Sequence, residues 1–148
     1  MEKDVLVSVI GVQSDLVSKD KEEIEVITKG KYYEKGMKKY ITYKETEMET
    51  EKDIMSTVKI DNNRVTLSRI GENSTNMLFE VGKKHVSHYN TMFGNFELGI
   101  TTRSMDIDFD DNQGEIKINY LLEVNNSPVG VNDICIKIQN DFSNFKLS

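Results

Sequence analysis

The sequence predicts an all-β protein, a single antiparallel barrel of about eight to ten strands that are connected up and down. Apolar and polar residues alternate with a period of two along most of the chain, which is typical of strands with one buried face. Clusters of turn-forming residues recur at roughly 8 to 12 residue intervals. No segment is long enough for the helical crossovers that parallel strands require, so a parallel α/β fold is excluded.

The first half of the chain shows six strand patterns. They cover residues 5–12, 23–33, 39–46, 56–60, 64–70 and 76–81. β-Branched residues dominate the first pattern, and the second places Ile24, Val26, Thr28 and Tyr32 on one side. Residues 45–53 alternate charged and small side chains, so they are predicted to be a strand end, a loop or a short helix.

The second half adds four more patterns and completes a series of about ten strands. They cover residues 85–102, 105–110, 115–124 and 131–138. The stretch 85–102 holds both histidines of the chain, and we interpret it as sheet that lines a barrel. At the C-terminus, residues 141–148 either fray or dock Phe142 and Phe145 against one end of the barrel.

Turn formers separate these patterns. They are Asp61-Asn62-Asn63, residues 71–74, Gly82-Lys83-Lys84, residues 110–114 and residues 125–128. Asn, Asp and Gly tolerate the positive φ that tight hairpin turns demand. A sheet of this size must close into a barrel or split into a sandwich, because open strand edges are templates for aggregation. We favour the barrel, with the sandwich as the alternative.

Composition narrows the possible functions. The 148 residues are predicted to form one domain, and the net charge of -6 weighs against binding to nucleic acid. A local basic cluster is interpreted as a solvated face: Lys29, Lys31, Lys35, Lys38 and Lys39. The single cysteine, Cys135, favours a reducing compartment. With no signal peptide pattern and no long apolar run, we expect a cytoplasmic protein that is not bound to a membrane.

Motifs for metals, cofactors and catalysis are not assembled in the sequence. Two histidines and one cysteine occur without zinc-site spacing, and the run from Asp106 has Asp111 and Lys117 where a calcium loop needs Gly and Glu. Gly94 and Gly99 have the spacing of a phosphate loop, but the Lys that must follow is missing. We therefore expect no metal, no cofactor and no catalytic residues.

Four residues are candidates for contact with a small ligand. His85, Tyr89 and Thr91 share one face of a strand with Ser87, whereas His88 points to the other face. This face lines either a cavity or the outer surface. Arg69 shares a face with Val65 and Leu67 and is predicted to be an inward cation. Its partner is a ligand carboxylate or an internal Asp or Glu, unless the side chain reaches water.

Several blocks of the sequence are similar to a known family. They are V-L-V-S-V-I-G-V-Q, I-E-V-I-T-K-G-K-Y-Y, the long block from Arg69 to Thr102, and G-E-I-K-I-N-Y-L-L-E-V. Together they resemble the YwiB-like family of bacterial proteins over nearly the whole chain. The most specific features are Arg69-x-Gly71, Phe79-x-x-Gly82 and Tyr89-x-Thr91-x-x-Gly94. The resemblance implies a calycin-like barrel, related in shape to lipocalins, and a domain of unknown function with no implied activity.

Three functions are compatible with these patterns. The first is a cytoplasmic barrel that binds a small, partly apolar molecule through Arg69, His85, Tyr89 and Thr91. The alternative is a barrel plugged by its own side chains, which binds a partner protein or a second copy as a homodimer. Catalysis is the weakest hypothesis, because nothing in the linear sequence brings acid and base groups together.

Overall fold

The computed structural model describes residues 2–46, 53–71 and 74–140, and it shows an antiparallel barrel built from ten strands. The strands are β1 (Glu2–Asp15), β2 (Lys21–Lys35), β3 (Lys38–Thr46), β4 (Asp53–Asp61), β5 (Arg64–Ile70), β6 (Thr75–Glu80), β7 (Lys84–Thr91), β8 (Gly94–Phe109), β9 (Gln113–Val124) and β10 (Ser127–Asn140). The predicted all-β barrel is thus confirmed. None of the described segments forms a helix that is long and apolar enough to cross a membrane.

Except for β6 and β7, strands that are consecutive in the sequence are neighbours in the sheet, as predicted for an up-and-down connection. The strand order is β6-β5-β4-β3-β2-β1-β10-β9-β8-β7, so the first and last strands pair in the middle of the sheet. The two edge strands, β6 and β7, contact each other across a seam, and no ladder joins them among the residues that the structure describes. The backbone N–H of Gly82, between them, donates to the carbonyl of Thr102 on β8 at 3.1 Å.

The stretch 85–102 differs from its prediction. It forms a hairpin, β7 and the first half of β8, that turns at Met92 and Phe93. β8 then continues through Phe109, so the separate strand predicted at 105–110 is wrong; a bulge between Thr102 and Ser104 re-aligns the pairing instead. The turn at 92–93 was missed because only Gly94, with φ +131°, marks it in the sequence.

Most predicted turns are confirmed, and they are stabilised by residues with positive φ and by side-chain hydrogen bonds to the backbone. Asn62, Asn125 and Asn126 have positive φ values of 58°, 50° and 67°. The turn after β8 is fastened by Asp110, whose Oδ1 accepts the backbone N–H groups of residues 112 and 113 at 2.8 and 2.9 Å. The segments 47–52, 72–73 and 141–148 lie outside the described residues.

The core lies inside the barrel and consists of the inward side chains of nearly every strand. Its buried apolar members are Val5, Val7, Ile41, Tyr43, Val58, Ile60, Val65, Leu67, Phe79, Ile100, Ile116, Ile118, Tyr120, Ile136 and Ile138. The turns at 36–37, 62–63, 81–83 and 110–112 lie at one end, which we call the lower mouth. The turns at 16–20, 92–93 and 125–126 lie at the opposite, upper end.

Candidate ligand site at the lower mouth

Arg69 lies on the inner face near the upper end of β5, and its partner is an acid of the same chain. Its Nη2 donates to Glu45 Oε2 at 2.7 Å, so of the predicted alternatives the internal carboxylate is the one observed. Tyr43 and Ser56 lie on the same face of the neighbouring strands. Burial, helped by the Glu45 charge, raises the pKa of Tyr43 to about 12, so this phenol stays neutral.

His85 lies at the lower start of β7, beside a carboxylate that is shielded from water. Glu80, with an exposed fraction of 7%, places Oε1 at 3.1 Å from His85 Nε2 and 3.4 Å from Arg64 Nε. Lys83 Nζ is 3.3 Å from the second oxygen, Oε2. These four residues, the Glu80 cluster, join β5, β6 and β7 across the seam.

The four residues predicted as ligand contacts do not converge. Along the β5–β6 ladder Arg69 faces Thr75, whereas Glu80, the partner of His85, faces Arg64. Five residues of strand put Arg69 and Arg64 about 17 Å apart. Tyr89 faces Phe96 in the upper half of β7 and lies about 13 Å along the strand from His85. Thr91 pairs with Gly94 through its backbone, and its side chain lies outside the described part of the chain.

We expect the Glu80 cluster to make stability depend on pH. Burial alone would raise the pKa of Glu80, but the hydrogen bonds from His85 and Lys83 and the charge of Arg64 outweigh it and leave this pKa lowered. A lowered carboxyl pKa stabilises the fold above the ordinary value of about 4.3 and loses that contribution as pH falls through the folded value.

The measurement is urea unfolding of the native protein and Glu80→Gln between pH 7 and 3. The variant should be less stable at pH 7, and the difference should shrink below about pH 4 because protonated Glu80 resembles glutamine. Glu22→Gln, at an exposed position of β2, is the matched control and should follow the native curve. A difference that stays constant over this range would contradict the role of the Glu80 charge.

The lower mouth contains a hollow of about 590 Å³ whose lining is both apolar and charged. The lining residues are Met37, Lys39, Ile60, Asp61, Asn62, Ile107 and Phe109. They come from β3, β4, β8 and two turns. Ile60, Ile107 and Phe109 form the apolar wall. The side chain of Lys39 leaves the strand on the inner face of the barrel, because Lys39 lies directly opposite Ile60 in the β3–β4 ladder.

Phe109 is held at this mouth by three contacts. Its ring stacks on Tyr32 with centroids 6.0 Å apart, and the Nζ atom of Lys39 lies 6.0 Å from its centroid. Across the hairpin it faces Gly114, where an added Cβ would lie 2.4 Å from the ring. The missing side chain at position 114 is therefore what allows the ring to lie inward.

Lys39 is a cation that lies near the Phe109 ring and interacts with the charge of Glu34 on the neighbouring strand. Among the described residues no carboxylate forms an ion pair with it, whereas the adjacent Lys38 approaches Asp61 at 3.9 Å. Glu34, which faces Lys39 across the ladder, instead accepts a hydrogen bond from Tyr32 at 2.7 Å. Burial and this bond raise the pKa of Tyr32. The mouth thus offers an apolar wall with an available ammonium group at its edge.

Sequence reasoning missed this site, although one signal was available. Phe109 and Gly114 flank a predicted turn at matching positions, and an aromatic ring opposite a glycine is a recognised pattern in antiparallel sheets. Nothing in the linear sequence links them to Lys39 or Ile60. In the described part of the chain, no three His, Cys, Asp or Glu side chains come together as a metal site would require.

The fold and the mouth together define a small antiparallel β-barrel with an amphipathic hollow at one end. Residues 7–136 match the family described as domain of unknown function (DUF1934), and the chain belongs to this family. It is 34% identical over 105 residues to the uncharacterized beta-barrel protein YwiB of Bacillus subtilis (strain 168), covering 71% of this chain and 72% of that protein.

The crystal structure of the ywiB protein from Bacillus subtilis has the same architecture. It superposes with a TM-score of 0.83 at 28% identity, over 95% of this chain and 93% of that one. The predicted resemblance to YwiB-like proteins is therefore confirmed. The relationship to calycins stays a prediction.

Proposed function

We propose that this protein binds a small, partly apolar molecule without altering it chemically, and that the ligand occupies the lower mouth. The observation that carries the proposal is the hollow of about 590 Å³ with its apolar wall and the available Lys39. Ligand sites are typically concave and apolar with a few polar groups that fix orientation. The lone thiol of Cys135 suits a reducing cytoplasm as the place of action.

The ligand contacts in this proposal differ from those that the sequence suggested. Arg69 and His85 already have partners within the chain, because Arg69 forms an ion pair with Glu45 and His85 lies within hydrogen-bond distance of Glu80. The middle of the barrel is occupied by the core side chains, which leaves the end of the barrel for a ligand. There, the apolar part of the molecule would lie against Phe109 and its acidic or polar end would reach Lys39.

A fluorescent probe with this chemistry, 8-anilinonaphthalene-1-sulfonate, tests the proposal by titration. We expect saturable binding, which Phe109→Ala and Lys39→Met each weaken about fivefold, since a ring contact or a cation contact contributes about 1 kcal/mol. The matched controls are Phe93→Ala and Lys59→Met, outside the hollow, which should leave affinity unchanged. The proposed site would be refuted if the control variants lost as much affinity for the probe as the mouth variants, or if the mouth variants lost none.

Native mass spectrometry of protein purified from cells identifies the natural ligand. A small mass that accompanies the native chain should disappear after denaturation and refolding. It should also be reduced in Phe109→Ala, whose fold is checked by circular dichroism. A bare chain in the native sample would count against a tightly bound cellular ligand.

A further inference from the structure

We infer that the upper half of β2 is the surface through which a second copy of this chain binds. β1 pairs with β2 from Lys21 to Tyr33, whereas β3 pairs only with the segment from Gly30 to Lys35. Residues 21–29 therefore have a strand on one side only, among the residues that the structure describes. This surface, the β2 edge, is far from the lower mouth, so the inference does not depend on the proposed function.

The direction of the backbone groups along the β2 edge follows from the hairpin that precedes it. Asp15 N donates to Asp20 O at 2.9 Å, so these two residues form a hydrogen-bonded pair of the β1–β2 ladder. Bonded pairs alternate along an antiparallel ladder. The even-numbered residues of β2 thus bond to β1, and five odd-numbered residues point their N–H and C=O groups outward: Lys21, Glu23, Glu25, Ile27 and Lys29. An unpaired row of this kind is a template for another strand.

The side chains of the β2 edge also favour burial. Ile24 is 51% exposed and Ile27 is 66% exposed, and they lie on opposite faces of the strand. An added strand would cover both. In the part of the chain that the structure describes, the exposed side chains of Glu23 and Lys29 form no ion pair, so both are available to a partner.

The charges along the β2 edge are complementary to those of a second copy when the two strands pair in one particular register. If two β2 edges pair antiparallel about a twofold axis at Val26, each Glu23 faces the partner's Lys29, and each Ile27 faces the partner's Glu25. Both outer ends then carry opposite charges directly across the strands, which is favourable. This register pairs the outward backbone groups of residues 23–29 in both chains, and it leaves out Lys21, which would face the partner's Lys31 in the segment that β3 occupies.

The neighbouring registers are poorer. An axis at Glu25 sets the two Glu25 side chains against each other and Lys21 against the partner's Lys29, which is repulsive. An axis at Ile27 also sets opposite charges across the strands, Glu25 against the partner's Lys29, but it leaves a shorter free segment, because Ile24 then faces the partner's Gly30, which β3 already pairs. The edge is therefore self-complementary at Val26, and the product is one sheet that runs through both copies.

Sedimentation equilibrium over a range of protein concentrations tests this contact through a charge swap. The native chain should dimerise reversibly, and Glu23→Lys or Lys29→Glu alone should weaken the dimer about tenfold or more, because each places like charges opposite at two positions. The double variant should return to within about threefold of the native constant. Glu25→Lys is the matched control and should change it little, since it faces an isoleucine.

Ile27→Pro provides a second test of the dimer contact, because it removes an outward backbone N–H and leaves the hydrogen bonds between β2 and β1 intact. It should abolish the dimer while circular dichroism remains native. A native chain that stays monomeric at all concentrations would overturn the inference. Single charge swaps that leave the dimer unchanged would also overturn it, as would a dimer restored by combining Glu25→Lys with Lys29→Glu.

Discussion

Replacement of Phe79 by alanine is expected to lower the free energy of unfolding by about 3–5 kcal/mol. The ring is 1% exposed and meets Tyr120 edge to face at 5.0 Å, so it links the edge strand β6 to β9 across the interior. β6 has six residues, and β5 is the strand that forms a ladder with it in the described part of the chain. The packing of Phe79 is therefore a main reason why β6 stays on the barrel.

Urea unfolding followed by circular dichroism measures this loss. Phe93→Ala is the control with the same chemical change, and we expect it to stay within about 0.5 kcal/mol of the native protein because this side chain is 87% exposed. A loss below about 1 kcal/mol in Phe79→Ala would show that β6 is held by other contacts, such as the Glu80 cluster.

Gly30→Ala is expected to cost about 1–3 kcal/mol or more, the second largest effect. A Cβ at this position would lie 2.5 Å from the backbone oxygen of Thr42 and 2.8 Å from Val7 Cγ2. The methyl of Val7 can shift, but the carbonyl of Thr42 cannot move away without disturbing the β2–β3 ladder. The close approach of β2 and β3 thus requires glycine here.

Gly11→Ala makes the same change on β1, where nothing lies within 4 Å of the added Cβ. We expect this control to be neutral or to stabilise by about 0.5–1 kcal/mol, because alanine restricts the unfolded chain more than glycine does. Val7→Ala alone should be destabilising because Val7 is buried in the core, but adding it to Gly30→Ala should cost less than the sum of the two single losses, as judged by thermal unfolding. Strictly additive losses would mean that the close contact with Val7 contributes nothing to the cost of Gly30→Ala.

The fold was predictable because its determinants are local. Alternation and turn residues act over about ten residues, and they identified the strands and the turns at Asn62 and Asn125-Asn126. The prediction failed at the β7–β8 hairpin, where Met92 and Phe93 occupy a turn without turn chemistry. Both are exposed at this hairpin tip, so neither propensity nor burial marked the boundary.

The candidate site was less predictable because it depends on register. Arg69 and Glu45 are 24 residues apart, and only the alignment of β3, β4 and β5 brings them to 2.7 Å. Lys39 looked like one member of a solvated basic cluster, but its position opposite Ile60 turns it toward the inside. A shift of one residue in the pairing of β3 with β4 would have turned the Lys39 side chain outward, and the sequence alone does not determine this register.

The pairing of β1 with β10 has a consequence for how the chain folds. It joins residues as distant as Asp15 and Gly130, or Val5 and Asn140, so the central ladder of the sheet carries the highest contact order in the molecule. We expect the hairpins to form early and this ladder late, because closing so long a loop costs the most entropy. A circular permutant opened at residues 81–83 would make the same ladder local while cutting no strand pairing, and it would fold by a different route to the same barrel.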